Sequence, residues 1–161
     1  MVWVPSRELI ESACSVDIRY DNPSLATHDG AAQQRPLLPE LKFLRNHVVH
    51  LFGVKQTWMT GRTRVMRKGQ LLDMHQSGRA IDFMVESASQ GDAIANYLLG
   101  HIADCGIQFI VWDHFRFSAA KVGAKRFGQY QGANPHTDHV HMELVKDPKP
   151  YPFYDGLYGR P

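Results

Sequence analysis

The sequence has little of several features that would assign it to a specialised class. Only two of its 161 residues are cysteines, Cys14 and Cys105, which cannot form a disulfide framework, although one bridge is possible. Its longest apolar runs, such as residues 109–112, are much too short to cross a bilayer. It contains no internal repeat and no low-complexity block. These absences argue against a disulfide scaffold and against membrane insertion, and the length predicts one ordinary domain.

The chain also has no strong excess of charge and no export signal that we can recognise. It carries 18 basic and 16 acidic residues, for a net charge of +2, which is too weak a bias to predict nucleic-acid binding. Residues 1–13 include Glu8 and Glu11 where a secretory signal would have an apolar core. We therefore expect the protein to be made in the cytoplasm without a signal peptide. Nothing in the sequence indicates an oligomeric state.

The pattern of apolar residues predicts an α+β domain with a small, largely antiparallel sheet, flanking helices and a zinc cleft on one sheet face. The predicted helices cover residues 5–15, 37–52 and 89–104, the last capped by Ser89. The predicted strands cover residues 56–64, 80–85, 107–112 and 140–145, with a surface excursion over 118–135. We divide the chain into a helix-and-loop extension (1–36), a central domain (37–146) and a tail rich in Pro and Tyr (147–161).

Histidine is the abundant residue type, with nine copies, and one of two informative clusters runs from His75 to Asp82. On a strand, alternation places Ala80 and Asp82 on one face and Ile81 and Phe83 on the other, which is the more apolar face and suits the core. An ionised Asp on such a strand is costly unless it is paired or binds a metal. Gly78 permits a tight turn that would bring His75 back towards Asp82.

The second cluster runs from Pro135 to Glu143 and contains three histidines within six residues. His139 and His141 are two apart on a predicted strand, so their imidazoles share one face. Two imidazoles and one carboxylate suit zinc, and three protein ligands leave an open position for a catalytic metal. On this reasoning His75 and Asp82 are ligands together with either His139 or His141, and the remaining histidines are available for proton transfer.

The two clusters resemble the motif of a zinc metallopeptidase superfamily. The pattern His-x-x-Gly-x-Ala-x-Asp from His75 to Asp82, followed by His139-Val140-His141, looks like the group that joins lysostaphin, the D-Ala-D-Ala metallopeptidases and the sonic hedgehog amino-terminal domain. Pro-His-x-Asp-His-x-His is similar to the penicillin-insensitive murein endopeptidases, and the longer run is also similar to a carboxy-terminal domain of actinobacterial cell-wall proteins. The resemblance covers roughly residues 55–146.

The resemblance implies a role for each matching residue. It makes His75, Asp82 and His141 the zinc ligands, and it places His139 and His136 as catalytic residues beside the metal. His136 stands where the D-Ala-D-Ala enzymes have a Glu and the murein endopeptidases have a His, which leaves open which imidazole is the base. Arg62 matches a substrate-binding Arg. Arg79 is its competitor, but strand parity places Arg79 on the face opposite Asp82. A solvated surface cation is an equally good interpretation of both arginines.

The function implied is zinc-dependent hydrolysis of peptide bonds in the stem or cross-link peptide of peptidoglycan, by an endopeptidase or a D,D-carboxypeptidase. Without an export signal, such an enzyme resembles a phage endolysin, or a similar lytic peptidase exported by a secretion machine, that acts at the bacterial cell wall after release or export. One alternative is a non-catalytic zinc-containing binding domain of the hedgehog kind. A second is a metal-dependent nuclease, which the near-neutral charge disfavours.

Overall fold

A computed structural model of the protein describes residues 3–22, 37–58, 74–75 and 77–148. Several sequence predictions lie outside these residues, namely residues 23–36 of the helix-and-loop extension, the predicted strand beyond Trp58, Arg62, and the tail beyond residue 148. None of the helices in the described part of the chain has the length and apolar character needed to cross a bilayer. Cys14 and Cys105 are both free thiols, so the possible bridge is not formed.

The described residues form four helices: α1 (Arg7–Ser15), α2 (Pro39–Phe52), α3 (Ala88–Leu99) and α4 (Ile102–Cys105). Helix α1 begins where the Ser6 side chain accepts a hydrogen bond from the Leu9 amide. Helix α2 ends at Gly53, whose φ of 64° lies in the left-handed region that glycine adopts readily.

The prediction of one helix over residues 89–104 was wrong in two respects. Ser87, rather than Ser89, caps α3 by accepting from the Gln90 amide. The helix also stops at Gly100, and α4 starts anew after His101. The apolar spacing continues across this break, which is why the sequence pattern did not reveal it; glycine, a poor helix former, stands at the break.

The strands of the described residues form one six-stranded sheet in which every pairing is antiparallel. They are β1 (Thr57–Trp58), β2 (Ala80–Met84), β3 (Ile107–Trp112), β4 (Phe115–Ser118), β5 (Phe127–Gln129) and β6 (His139–Leu144), and their order in the sheet is β1-β2-β6-β3-β4-β5. The predicted α+β class and the largely antiparallel sheet with flanking helices are thereby confirmed. β2 and β6 lie side by side although 54 residues separate their ends in sequence, from Met84 to His139.

The outer strands β4 and β5 were not predicted. The region 118–135, expected as a surface excursion, contains β5, and β4 precedes it. Phe117 of β4 is fully buried and pairs in register with Phe127 of β5, so these strands extend the core side of the sheet. Both strands are shorter than the five to six residues typical of strands, which leaves too few residues for alternation to stand out.

The two faces of the central strands have opposite chemistry. Ile81 and Phe83 of β2, and Val140, Met142 and Leu144 of β6, lie in the hydrophobic core with residues of α1, α2 and α3. The alternate positions of the same strands carry Asp82, His139, His141 and Glu143 on the opposite face. The core thus fixes which side chains are presented together on the other face.

Helix α3 approaches β3 closely at Gly91. A Cβ atom at this position would overlap the indole ring of Trp112, and the indole Nε1 donates a hydrogen bond to Asp92 Oδ1 at 2.7 Å. The absence of a side chain at Gly91 is therefore what lets the helix pack directly on the buried tryptophan.

Candidate metal centre

Asp82 lies at the centre of the polar face, in the middle of β2. It is directly opposite His141 of β6 in the strand register, and directly opposite residues on neighbouring strands bring their side chains together. His141 Nδ1 donates a hydrogen bond to Asp82 Oδ1 at 2.9 Å. A pair of residues 59 positions apart in sequence is thus made into neighbours by the sheet.

His75 reaches the same carboxylate from the turn before β2. Gly78 has a φ of 80°, and its amide donates to the His75 carbonyl at 3.2 Å, which closes the turn. His75 Nε2 lies 3.5 Å from Asp82 Oδ1. The predicted role of Gly78, to bring His75 back towards Asp82, agrees with this geometry.

His75, Asp82 and His141 form a group that could hold a metal ion. One donor atom from each residue lies within 4.8 Å of the donor atoms of the other two. The side chains are sheltered, with exposed fractions of 17% for His75, 18% for Asp82 and 10% for His141. Two imidazole nitrogens and one carboxylate oxygen fit the ligand preference of zinc and would leave a fourth position open. Zinc itself remains a prediction.

The electrostatics of the group centre on Asp82. Burial alone would raise the pKa of this carboxyl group. The hydrogen bond from His141 and the charges of His141, His75 and His139 outweigh burial and hold the pKa below its ordinary value. Asp82 is therefore ionised at neutral pH, as a metal ligand must be.

His141 is held between two carboxylates. Its Nδ1 faces Asp82, and its Nε2 lies 2.8 Å from Glu143 Oε2. Burial lowers the pKa of His141, but the hydrogen bonds to Asp82 and Glu143 reverse that effect and raise the pKa to about 9. Both ring nitrogens therefore carry protons in the metal-free protein. Because Nε2–H is engaged by Glu143, Nδ1 is the nitrogen that would give up its proton to bind a metal ion.

His139 lies beside this group rather than within it. Its Nε2 is 3.9 Å from Asp82 Oδ2, whereas its Nδ1 donates to Asp138 Oδ1 at 2.6 Å. The carboxylate of Asp138 thus fixes the tautomer that leaves the Nε2 lone pair facing the centre. Of the two histidines that the residue pattern left open as the third ligand, the geometry favours His141.

His136 completes the cluster from the loop before β6. Its ring centroid is 4.6 Å from that of His139 and 5.8 Å from that of His141. Its Nδ1 donates to the Asn134 carbonyl at 2.7 Å, which leaves Nε2 as the proton acceptor. Burial is the main cause that lowers the pKa of His136 to about 4, so the imidazole is neutral at pH 7.

The backbone holds His136 in an uncommon conformation. Its φ is 56°, in the left-handed region. The carbonyl of His136 accepts from the Asp113 amide at 2.7 Å, and the Pro135 carbonyl accepts from the His114 amide at 2.9 Å. The tight turn between β3 and β4 therefore fastens this loop and fixes the direction of the His136 ring.

The two arginines have different outcomes. Arg62 lies outside the described residues, so its predicted role in substrate binding stays a prediction. Arg79 was expected on the surface, and that expectation was wrong, because its exposed fraction is 6%. Its guanidinium donates to the carbonyls of Leu144 at 3.1 Å and Asp21 at 2.6 Å. The ladder between β2 and β6 buries it under the segment around Asp21.

Sequence reasoning missed three residues of the site. Asp138 orients His139, Glu143 holds His141, and Gln108 contacts Glu143 at 3.4 Å. Alternation along β6 would have found Glu143, since it shares a face with His139 and His141. Asp138 could have been noticed as a carboxylate next to a histidine. No sequence signal marks Gln108, which depends on the pairing of β3 with β6.

A family model described as "VldE, C-terminal domain" matches residues 34–141. This range contains His75, Asp82, His136, His139 and His141. No curated protein and no solved structure matches the chain. None of these findings connects the chain to the zinc metallopeptidases, so that resemblance stays a prediction. The matched range spans well over half of the 161 residues, and the chain therefore belongs to the family of the VldE C-terminal domain.

Proposed function

We propose that the protein hydrolyses peptide bonds of bacterial peptidoglycan with the help of a zinc ion held by His75, Asp82 and His141. The observation that carries this proposal is the convergence of those three side chains with two further histidines beside them. A histidine with a purely structural role needs one or two hydrogen bonds, and it does not need other histidines around it. A cluster of four sheltered imidazoles around one carboxylate fits a metal site with groups for proton transfer.

The ligand set supports a catalytic rather than a purely structural metal. Structural zinc sites are closed by four protein ligands, whereas catalytic sites use three and keep one position open. A bound zinc ion would supply Lewis acidity towards a carbonyl oxygen and would acidify water at the open position. The chain's own task is to keep Asp82 ionised and to hold the imidazoles of His75 and His141 in place around it.

His139 is the proposed proton acceptor. Its Nδ1–H is engaged by Asp138 at 2.6 Å, so the basic Nε2 faces the centre, where it can take a proton from water and return one to the leaving amine. An imidazole oriented by a carboxylate in this way is pre-organised for that exchange.

His136 is the proposed second catalytic group. Its neutral form at pH 7 presents Nε2 as a hydrogen-bond acceptor beside His139, with the two ring centroids 4.6 Å apart. The left-handed backbone at His136 holds this ring in position without help from the substrate. We propose that His136 orients water or substrate through this nitrogen, while His139 transfers the proton.

The proposed substrate class comes from the motif resemblance, whose members cut stem or cross-link peptides, including bonds that involve D-amino acids. Arg62 is the proposed partner of a substrate carboxylate. The proposed place of action is the bacterial cell wall, as for a phage endolysin.

The test is digestion of purified bacterial sacculi followed by mass spectrometry of the soluble fragments. We expect peptides with new amino termini from the zinc-loaded protein, their loss after chelation, and their return when zinc is restored. His141→Ala should release none. His50→Ala is the matched control, because this histidine is exposed on α2, and it should behave as wild type.

Folded, zinc-loaded protein that releases no fragment from sacculi of several wall chemistries would contradict the peptidase proposal. Zinc binding without any release would then favour the binding-domain alternative. Cleavage of plasmid DNA under the same conditions would instead favour the nuclease alternative.

A further inference from the structure

We propose that Glu143 is a positioning residue for the metal centre, and that a buried network built from Gln108, Arg79 and the Asp21 segment holds it there. The inference rests on the proposed function for its metal site. Glu143 is not a member of the three-residue group, and the predicted ligand set gives it no role. Its carboxylate nevertheless contacts the far nitrogen of His141 at 2.8 Å.

The geometry explains what Glu143 does for His141. An imidazole can ligate through one nitrogen only if that nitrogen is unprotonated, so the proton must sit on the other nitrogen. Glu143 Oε2 accepts the Nε2–H of His141, which leaves Nδ1 for the centre. A carboxylate behind a ligating histidine fixes the tautomer, orients the ring and increases its basicity.

Glu143 is itself immobilised from β3. The register between β3 and β6 shifts between Ile107 and Phe109, and an irregularity of this kind re-aims a side chain. Gln108 at the shift is completely buried, and its amide donates to Glu143 Oε1 at 3.4 Å. Both oxygens of the carboxylate are therefore held, one by Gln108 and one by His141.

The network continues to the segment that follows α1. The Asp21 amide donates to Gln108 Oε1 at 2.8 Å, and the Asp21 carbonyl accepts from Gln108 Nε2 at 3.1 Å. Arg79 donates to the same carbonyl at 2.6 Å and to Gln108 Oε1 at 3.3 Å. The Asp21 side chain in turn accepts from the Lys146 amide at 2.8 Å.

These contacts close the network around a buried charge. Glu143 has an exposed fraction of 7% and Arg79 of 6%, and the two charges attract each other. A carboxylate in such a place is costly unless its oxygens are bonded and a cation lies near. Gln108 and His141 bond the carboxylate oxygens, and Arg79 is the nearby cation. These contacts also limit the movement of Glu143, and therefore of the His141 ring.

The experiment compares the zinc affinity of wild type with that of Glu143→Gln, measured by competition with a chromophoric chelator and without any substrate. The glutamine amide keeps the size of the side chain, but it has no charge. One of its two terminal groups is an NH2 donor, whereas both carboxylate oxygens can only accept. We expect zinc binding to weaken about 10-fold or more, within the 10–100-fold range usual for partners behind a ligand. Cobalt-substituted protein should show a changed visible spectrum, because the ring orientation changes.

Two further variants sharpen the result. Glu86→Gln is the matched control, since Glu86 is exposed and pairs only with Lys55 in the described ion pairs, and its affinity should equal that of wild type. Glu143→Asp keeps the charge and should bind zinc more tightly than Glu143→Gln. Denaturant unfolding of each metal-free variant shows whether it is folded.

A zinc affinity of Glu143→Gln within twofold of wild type, with an unchanged cobalt spectrum, would overturn the inference, even if the variant were less stable. A wild-type protein that binds no zinc would overturn it as well. Sacculus digestion is scored separately: zinc-loaded wild type that cuts nothing contradicts the proposed peptidase, whereas the effect of Glu143 on affinity is read without catalysis.

Discussion

Replacing His139 and His141 separately by alanine distinguishes a proton-transfer group from a metal ligand. The two residues lie on the same face of β6, and their side chains have the same exposed fraction of 10%. They differ in geometry, because His141 Nδ1 is 2.9 Å from Asp82 Oδ1, whereas His139 Nε2 is 3.9 Å from Asp82 Oδ2. Residue chemistry and strand alternation left the two interchangeable as ligands, so this pair is a direct test of the structural assignment.

The two substitutions should affect different quantities, zinc affinity for His141→Ala and kcat for His139→Ala. Losing one of three ligands should weaken zinc binding by about 100- to 1000-fold, since apparent zinc binding free energies of about 10–16 kcal/mol are shared among four ligands in structural sites. His141→Ala should therefore lose both the metal and the activity. His139→Ala should keep its zinc affinity within about threefold, while kcat falls by about 10²–10⁴, the usual contribution of general acid–base catalysis.

The assay needs two readouts on each variant: zinc affinity by chelator competition, and fragment release from sacculi at saturating zinc. Circular dichroism checks that each variant is folded. If His139→Ala loses zinc as severely as His141→Ala, the separation of base from ligand is wrong. If His139→Ala retains full activity, the proposed proton acceptor must be another group, with His136 the next candidate.

Three further predictions follow from single contacts. For His136, whose pKa in the folded protein is lowered to about 4, the unfolded chain takes up a proton that the folded protein does not as pH falls below about 6.5. The free energy of unfolding should therefore be unaffected by this group above pH 6.5 and should fall as the pH is lowered towards 4. Urea unfolding should show a smaller loss of stability over this pH range for His136→Asn than for wild type. An equal loss in both proteins would refute the prediction. Arg79→Met should lower the free energy of unfolding by about 2–4 kcal/mol, because buried carbonyls lose their donor and a buried carboxylate its neighbouring cation, and a loss below about 0.5 kcal/mol in urea would contradict the buried network. Gly91→Ala should lower the thermal midpoint by several degrees, since its Cβ would overlap the Trp112 ring, whereas Ala93→Gly, at an exposed position of the same helix, tests the effect of helix propensity without a change in core packing.

Sequence patterns were sufficient for the elements with strong periodicity. Helix α2 was predicted over residues 37–52 and covers Pro39–Phe52, and the strand predicted over residues 107–112 matches β3. The core faces of β2 and β6 were also predicted, because alternation over five or six residues separates Ile81 and Phe83 from Asp82 without knowledge of the partner strands.

Elements that depend on the rest of the fold were missed. β4 and β5 have four and three residues, too few for a period to be recognised, and they are strands because each pairs with a neighbour that is already in place. The break at Gly100 has the same character, since the apolar spacing runs through it. Burial of Arg79 could not be predicted, because it depends on carbonyls of Leu144 and Asp21 that come from distant parts of the chain.

The sequence by itself determined which residue types can form the candidate site and that His139 and His141 share a face, because these depend on side-chain chemistry and on strand alternation alone. It also determined that Gly78 can reverse the chain before β2. Only the tertiary structure decided that Asp82 meets His141 rather than His139, and that Glu143 and Gln108 stand behind the ligand. The physical reason is that these relations are set by the register between β2, β6 and β3, and register is established when strands far apart in sequence pack on a common core.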